Sequence, residues 1–257
     1  MLNIVVPMAG RGQRFVDAGY TLPKPLIPIH GVPMIQLVIA NLAPSCPHRF
    51  HFLVQKEHVD RYGLDAQLRA WAPGCEIMVV DGITEGAACT VLLARSMIDN
   101  DEPLMIANCD QYIDADIDAY LDSIGEADGL IMTMWADDPK WSFVRRDADG
   151  RVVEVVEKEV VSNEATVGIY NYRRGADFVS GADAMTAADI RVNGEFYVAP
   201  VYNEMIRQGG KVLCFGIGRA GAGMYGIGTP QDLLEFCDLP ISQEAASACL
   251  GHGDRHP

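Results

Sequence analysis

The chain contains no two cysteines at C-x-x-C spacing, although seven are scattered along it. An odd, dispersed set excludes a disulfide framework and a zinc ribbon, and is what a reduced, cytoplasmic protein carries. Long apolar runs are missing too: none approaches the ~20 residues that a helix needs to cross a bilayer. No basic leader with a cleavage site opens the sequence, so neither secretion nor a membrane partner is expected. Positive charge is scarce, with 20 Lys and Arg against 35 Asp and Glu and a formal net charge of −15. That balance excludes loose binding to nucleic acid or to anionic lipid. It also means that a polyanionic ligand is repelled at long range, so only a local group of cations or a metal ion can hold it.

What is present is an alternation of strands and helices. With 49% hydrophobic residues over 257 positions, a sizeable core is available. Apolar runs predict strands at Leu2–Met8, Phe50–Gln55, Cys75–Val80, Leu104–Asn108 and Gly129–Trp135. Between them, helical periodicity predicts Pro33–Leu42, Glu57–Trp71, Ala87–Ile98 and Ile113–Ile124. After residue 138 the pattern turns β-rich. Trp141–Arg146 and Val152–Glu157 flank an Asp-Ala-Asp-Gly turn, and Glu164–Arg173 and Lys211–Ile217 read as further strands. Val198–Arg207 and Thr229–Cys237 read as helices, the latter with Thr229 as N-cap and Pro230 in its first turn. The class is therefore α/β: a Rossmann-like mixed, mostly parallel sheet with helices on both faces and an added β-rich part. One domain over 1–240 is expected, in two halves (1–138 and 139–240) that the family resemblance given below implies bind the nucleotide and the acceptor, with 241–257 as a flexible tail. Nothing in the composition decides between a monomer and a homo-oligomer.

The most informative segment follows the first strand. Met8-Ala9-Gly10-Arg11-Gly12 breaks an apolar run into a loop whose glycines let backbone N–H groups approach phosphates. Arg11, Arg14 and Lys24 bring three cations to the same place in an otherwise acidic protein. Pro23 and Pro25 fix φ on either side of Lys24 and hold it in one position. The loop is not the dinucleotide fingerprint, because Phe15 stands where a third glycine belongs, and no Gly-Lys-Ser/Thr follows as in a Walker A loop. Read alone, Gly-x-Gly is also an ordinary tight turn. Asp110 in Asn108-Cys109-Asp110-Gln111 ends an apolar strand, where it can cap a turn or project into the ligand crevice beyond the sheet.

Taken together, Gly10-Arg11-Gly12-Gln13-Arg14, Pro23-Lys24-Pro25 and Gly31-Val32-Pro33-Met34-Ile35 resemble the signature region of the sugar-phosphate nucleotidylyltransferases, the pyrophosphorylase family. The resemblance covers most of the chain, to about residue 238, and implies the nucleotide-diphospho-sugar transferase type of fold. It implies that Met8 to Gly12 and Glu85-Gly86-Ala87 line the nucleotide, and that Arg14 and Lys24 act on the phosphates. Asp110 is implied as the ligand of a Mg²⁺ cofactor. Lys158, Gly168, Tyr170 and Glu195 are implied on the acceptor side. From the residues alone, Glu157-Lys158 reads equally as a solvated strand end, Tyr170 as core, and Glu85 to Ala88 as a close helix–sheet contact. One departure stands out: Gly226 occupies the place where the family usually has an aspartate, a second metal ligand, before Gly228-Thr229-Pro230.

The activity implied is transfer of a nucleotidyl group from a nucleoside triphosphate to a phosphorylated small-molecule acceptor, a sugar 1-phosphate, with release of pyrophosphate. A role in precursors of cell-surface polysaccharide goes with it. The alternative, favoured by Gly226, is a CTP-dependent cytidylyltransferase acting on a non-sugar phosphate or phosphonate. A nucleotide-sugar glycosyltransferase fits less well, since it wants Asp-x-Asp where this chain has Asn108-x-Asp110 and leaves Pro-Lys-Pro unexplained.

Overall fold

The first apolar run forms strand β1 (Leu2–Met8), almost wholly buried, in a computed structural model that describes residues 1–251. A tight hairpin follows, β2 (Pro28–Ile29) and β3 (Val32–Pro33), and its two central residues, His30 and Gly31, both have positive φ, as the favoured two-residue turn requires. The remaining strands are β4 (His48–Gln55), β5 (Glu76–Val80), β6 (Leu104–Ala107), β7 (Gln111–Ile113), β8 (Gly129–Trp135), β9 (Ser142–Arg146), β10 (Val152–Glu157), β11 (Glu164–Tyr172), β12 (Val212–Ala220) and β13 (Gly223–Gly226).

Eleven of these join one sheet in the order β5-β4-β1-β6-β11-β8-β12-β13-β7, with β9 and β10 attached beside β11. β5, β4, β1 and β6 run parallel, and β11 enters antiparallel between β6 and β8. The chain leaves β1 towards β4 and β5 and returns on the other side to β6. The carboxyl ends of β1 and β6 therefore flank a switch point, where ligands of open α/β sheets bind. Both halves of the chain contribute strands to this sheet. Two apolar clusters cover its faces, one under the helices Met34–Leu42, Leu64–Trp71 and Pro230–Cys237, the other under Ala87–Leu92, Gly175–Ala187 and Tyr202–Arg207. The α/β class with helices on both faces is thus the observed architecture.

Several elements differ from the sequence pattern for identifiable reasons. The stretch 57–71 is two helices, Lys56–Tyr62 and Leu64–Trp71, because Gly63 takes a left-handed φ of 60° and ends the first. The stretch 87–98 is likewise split into Ala87–Leu92 and Arg95–Ile98. Ile113 belongs to strand β7, paired with β13, and the helix begins only at Ile117 behind an Asp116 cap. Periodicity gave no sign of that pairing, since Ile113 is matched with Met224, far along the chain.

The helix Gly175–Ala187 has no counterpart among the elements expected from the sequence, and two of its residues are glycines. They are contact points: a Cβ on Gly175 would lie 2.0 Å from the Ile98 carbonyl oxygen, and one on Gly181 would lie 2.9 Å from Val201. The expectation of a flexible tail from residue 241 is corrected. Pro240–Gly251 is a helix, with Ser242, Ala245 and Ala246 buried, and Ser242 Oγ lies 2.7 Å from His30 Nε2. The late histidines, His252 and His256, lie outside the described residues. Deleting residues 240–257 should therefore lower the thermal midpoint by about 5 °C or more; an unchanged midpoint in calorimetry would show that the helix contributes nothing.

Candidate active site

The loop after β1 passes close to Lys24. Gly12 has φ 61°, and a Cβ there would sit 3.1 Å from Lys24 Cβ, so a larger residue would be strained and crowded at once. Gly10 and Arg11 are exposed at the loop crest, and Arg14 is exposed on the short helix Gln13–Asp17 that follows. Gln55, at the end of β4, fastens the loop from beneath: its Nε2 donates to the Ala9 carbonyl and, at 3.1 Å, to that of Gly82. No sequence signal marked Gln55, whose role arises from the parallel pairing of β1 and β4.

Pro23-Lys24-Pro25 forms the start of a tight helical turn, with Pro25 and Leu26 buried beneath it. The turn carries the Lys24 ammonium to Asp110, where Nζ stands 2.8 Å from Oδ2. Burial pulls this ammonium towards its neutral form, but the Asp110 carboxylate outweighs burial and holds the Lys24 pKa above the ordinary lysine value. Lys24 is accordingly a fixed cation and not a proton donor or acceptor near neutral pH. Asp110 sits just beyond β6, its carbonyl accepting from Ile227 N at 2.9 Å. Gly228 makes room for it, since a Cβ there would meet Asp110 Oδ2 at 2.6 Å.

Beside this pair opens a cleft of about 750 Å³, bordered by Arg14, Asn108, Asp110, Trp141, Gly226 and Asp232 among others. Asp232 was missed in the sequence. Its carboxylate accepts from Thr229 Oγ1 at 2.7 Å and lies 4.0 Å from the Cβ position of Gly226. The spacing Thr-x-x-Asp at a helix start was the available signal. Asp110 brings one carboxylate to the cleft, and no group of three or more His, Cys, Asp or Glu able to cage a metal exists among the described residues. Such a donor set suits a hard cation that takes most of its ligands from phosphate and water, as Mg²⁺ does.

The Glu85-Gly86-Ala87 turn lies against the loop containing Glu195. Gly86, at φ 135°, admits the Phe196 backbone, whose oxygen would be 2.4 Å from a Cβ. Phe196 N donates to Glu85 O at 2.9 Å, and Ala88 N to Phe196 O at 3.0 Å. Glu85 itself is ion-paired with Arg191, whose guanidinium stacks 4.0 Å over the Phe196 ring. Glu195 is exposed on this loop. Lys158 has a positive φ of 57°, and its ammonium bonds the Tyr197 hydroxyl and lies 4.4 Å from that ring's centre. The hydrogen bond that this ammonium donates to the Tyr197 hydroxyl is the main reason its pKa is raised. Lys158 and Glu195 thus gather near Tyr197, and Lys158 N donates at 3.0 Å to the carbonyl of Trp141, which borders the cleft. Next to Lys158, burial raises the carboxyl pKa of Glu157, which bonds Ser142 Oγ.

Gly168, at φ 76°, packs on Asn108, whose N donates to Gly168 O at 3.0 Å. Tyr170 is a correction to the acceptor-side expectation. Its ring is only 7% exposed, its hydroxyl lies 2.9 Å from Thr166 Oγ1, and it packs against Tyr202 in the core. On β11, a residue two positions from Gly168 falls in the apolar layer under the helix Tyr202–Arg207.

A glycine loop at the switch point, a lysine paired with an aspartate just beyond β6, and an open cleft beside them make up the site. The chain belongs to the nucleotidyl transferase family, whose sequence model matches residues 4–186. It is 28% identical over 219 residues to the bifunctional protein GlmU of Pseudomonas fluorescens, a match covering 81% of this chain and 45% of that one. The chain thus spans less than half the length of that curated relative. Among solved structures it resembles a nucleoside-diphosphate-sugar pyrophosphorylase of Vibrio cholerae, with TM-score 0.79 and 26% identity over 92% of this chain and 100% of that chain. It shares its fold with an inositol-1-phosphate CTP transferase of T. maritima, with TM-score 0.68 and 17% identity over 95% and 94% of the two chains. No helix among the described residues is long and apolar enough to cross a membrane.

Two outcomes are expected from this geometry. Gly228→Ala should push Asp110 off Lys24 and cut turnover about a hundred-fold, since misplacement by an ångström is enough for such a loss; a variant with full activity would contradict the crowding. In Asp110→Asn, the desolvation of Lys24 remains while its counter-charge is gone, so Lys24 should titrate below the ordinary lysine value of about 10.4, whereas in the wild type it titrates above it. NMR of the labelled lysine reads both.

Proposed function

We propose that this protein transfers a nucleotidyl group from a nucleoside triphosphate to the phosphate of a small phosphorylated acceptor, with a sugar 1-phosphate as the acceptor that the family suggests, and releases pyrophosphate. The observation that carries the reading is the Lys24–Asp110 pair set beside the Gly10–Gly12 loop at the switch point of the sheet. An acceptor phosphate oxygen attacks the α-phosphorus. The new O–P bond forms as the bond from the α-phosphorus to the bridging oxygen breaks, and the electron pair leaves on pyrophosphate. The acceptor is already ionised near neutral pH, so no side chain need remove a proton.

Both reactants are anions, and charge repulsion dominates the barrier. Opposite unit charges about 4 Å apart are worth about 4 kcal/mol at an effective dielectric near 20, so Lys24 and Arg14 can supply several kcal/mol by position alone. In this reading the N–H groups of Gly10 to Gly12 cradle the triphosphate. Arg14 neutralises the leaving pyrophosphate, Lys24 holds the α-phosphate and the acceptor, and Lys158 and Glu195 serve the acceptor side. Asp110 would hold a Mg²⁺ together with phosphate oxygens and water. When bound, that ion supplies charge neutralisation of the triphosphate. The −15 charge of the chain makes these local cations necessary, because the protein as a whole repels both substrates.

Gly226 supports a second acceptor class. Without a carboxylate at that position, a cytidylyl transfer to a non-sugar phosphate or phosphonate would use the same groups. A role in the supply of polysaccharide precursors follows only from the first acceptor class.

The test is a matrix of the common triphosphates against sugar 1-phosphates, inositol phosphate, amino-alcohol phosphates and phosphonates, read as pyrophosphate release. At least one pair should turn over, and chelation with EDTA should stop it until Mg²⁺ is restored. Lys24→Ala and Asp110→Ala should each lower that rate about a thousand-fold or more while the circular dichroism spectrum is retained. If both variants keep their rate, the mechanism is wrong.

A further inference from the structure

The large sheet leaves three strands open on one side: β5 and β7 at its ends and β10 on its branch. An open strand presents a row of unpaired N–H and C=O groups, and proteins normally blunt it. Two of the three are closed by the same device. On β7, Asn41 Nδ2 donates to the Ile113 carbonyl at 2.8 Å, and its Oδ1 accepts from Ile113 N at 2.9 Å. On β10, Asn203 Nδ2 donates to the Val155 carbonyl at 2.8 Å, and its Oδ1 accepts from Val155 N at 2.7 Å. Each asparagine amide takes the place of a neighbouring strand for one residue.

β5 has no such cover. Its five residues pair in unbroken register with β4, and no hydrogen bond among the described residues reaches their backbone from the other side. The strand also lacks the usual deterrents: it has no lysine, proline or bulge, and its one charge is Glu76. Side chains alternate between the faces, so Ile77 and Val79 share one face. Val79 is 51% exposed there.

We propose that the open edge of β5 is the contact between two copies of this chain, joined antiparallel about a two-fold axis through Met78. The register follows from self-complementarity. Opposed residues of an antiparallel pair face the same side, and with the middle residue on the axis Ile77 faces Val79 of the second copy. The reverse pair forms by symmetry. Glu76 then faces Val80, so like charges do not meet within the strand. Just beyond, Cys75 faces Asp81 of the second copy. Arg69 stands at that point, its Nη1 donating to the Cys75 carbonyl at 3.4 Å, and both Arg69 and Asp81 are exposed. Each end of the contact thus brings an arginine of one copy to an aspartate of the other. A foreign strand would have to supply both the apolar pair and the crossed charges, which an identical edge supplies by symmetry alone. Asp81 also directly precedes Gly82, whose carbonyl accepts from Gln55 beneath the glycine loop, so the contact lies next to the candidate active site.

The experiment is sedimentation velocity of the full chain over a series reaching about 100 μM, because a contact of one short strand belongs to the weak, reversible class. The mass should rise from 28.0 kDa towards twice that value as the protein is concentrated. Val79→Lys, which sets an ammonium against Ile77 at both symmetric places, should weaken association about ten-fold or more. Asp81→Arg should weaken it as well, by facing Arg69 with a like charge, and adding Arg69→Asp should restore it. These two exposed positions decide the matter if circular dichroism shows that the Val79 variant does not fold. The mass of one copy at every concentration, a dimer that ignores Val79→Lys or Asp81→Arg, or a double variant no stronger than Asp81→Arg alone each overturns the proposal.

Discussion

The ion pair between Lys24 and Asp110 is the constraint around which the site is arranged. It joins the Pro-Lys-Pro turn to the end of β6 and so fixes the distance between the loop after β1 and the switch point. Taking two charges out of water is expensive, and a pair of this kind is retained when its geometry is good and both partners stay in place. Removing either partner leaves the other partly buried and uncompensated. The neighbouring backbone is shaped to accommodate it. Gly12 passes close to the Lys24 side chain, and Gly228 gives way to the Asp110 carboxylate.

The second half of the chain completes what the first half begins. β11 enters antiparallel beside β6 and places Gly168 under Asn108, while β13 pairs with β7 and sets Gly226 across from Gln111. The loop at Phe196 hydrogen-bonds the turn at Gly86, which ties the two halves by backbone alone. Charge is divided in the same way. The chain is acidic overall, yet Arg11, Arg14 and Lys24 concentrate on one loop system, where phosphates meet cations at short range.

Much of this was legible beforehand. The buried runs of β1, β4 and β6 and the helix from Met34 are strongly periodic, and periodicity reports what is buried on one face or on both. The loop residues were legible because glycine, proline and lysine in that order have few other uses. The splits at Gly63 and after Leu92, the short strands β7 and β13, and the helix over Pro240–Gly251 were not legible. The strands and the last helix depend on partners far along the chain, where local propensity yields to tertiary contact, whereas the split at Gly63 is made by that glycine's own left-handed turn. Tyr170 illustrates the same limit: a motif resemblance placed it at the ligand, while the pleat of β11 turns its ring into the core.

By itself, then, the sequence determined the α/β class, the position of the phosphate loop and the identity of its cations, because these follow from local patterning and from the chemistry of single residue types. Only the tertiary structure decided that Lys24 is clamped by Asp110, that Asp232 stands beside Gly226, and that Gln111 lies buried across from Gly226. The reason is physical. A side chain's charge is written in the sequence, but its partner, its burial and the space left open beside it are set by segments that meet only in the fold, as Lys24 meets Asp110 from 86 residues away.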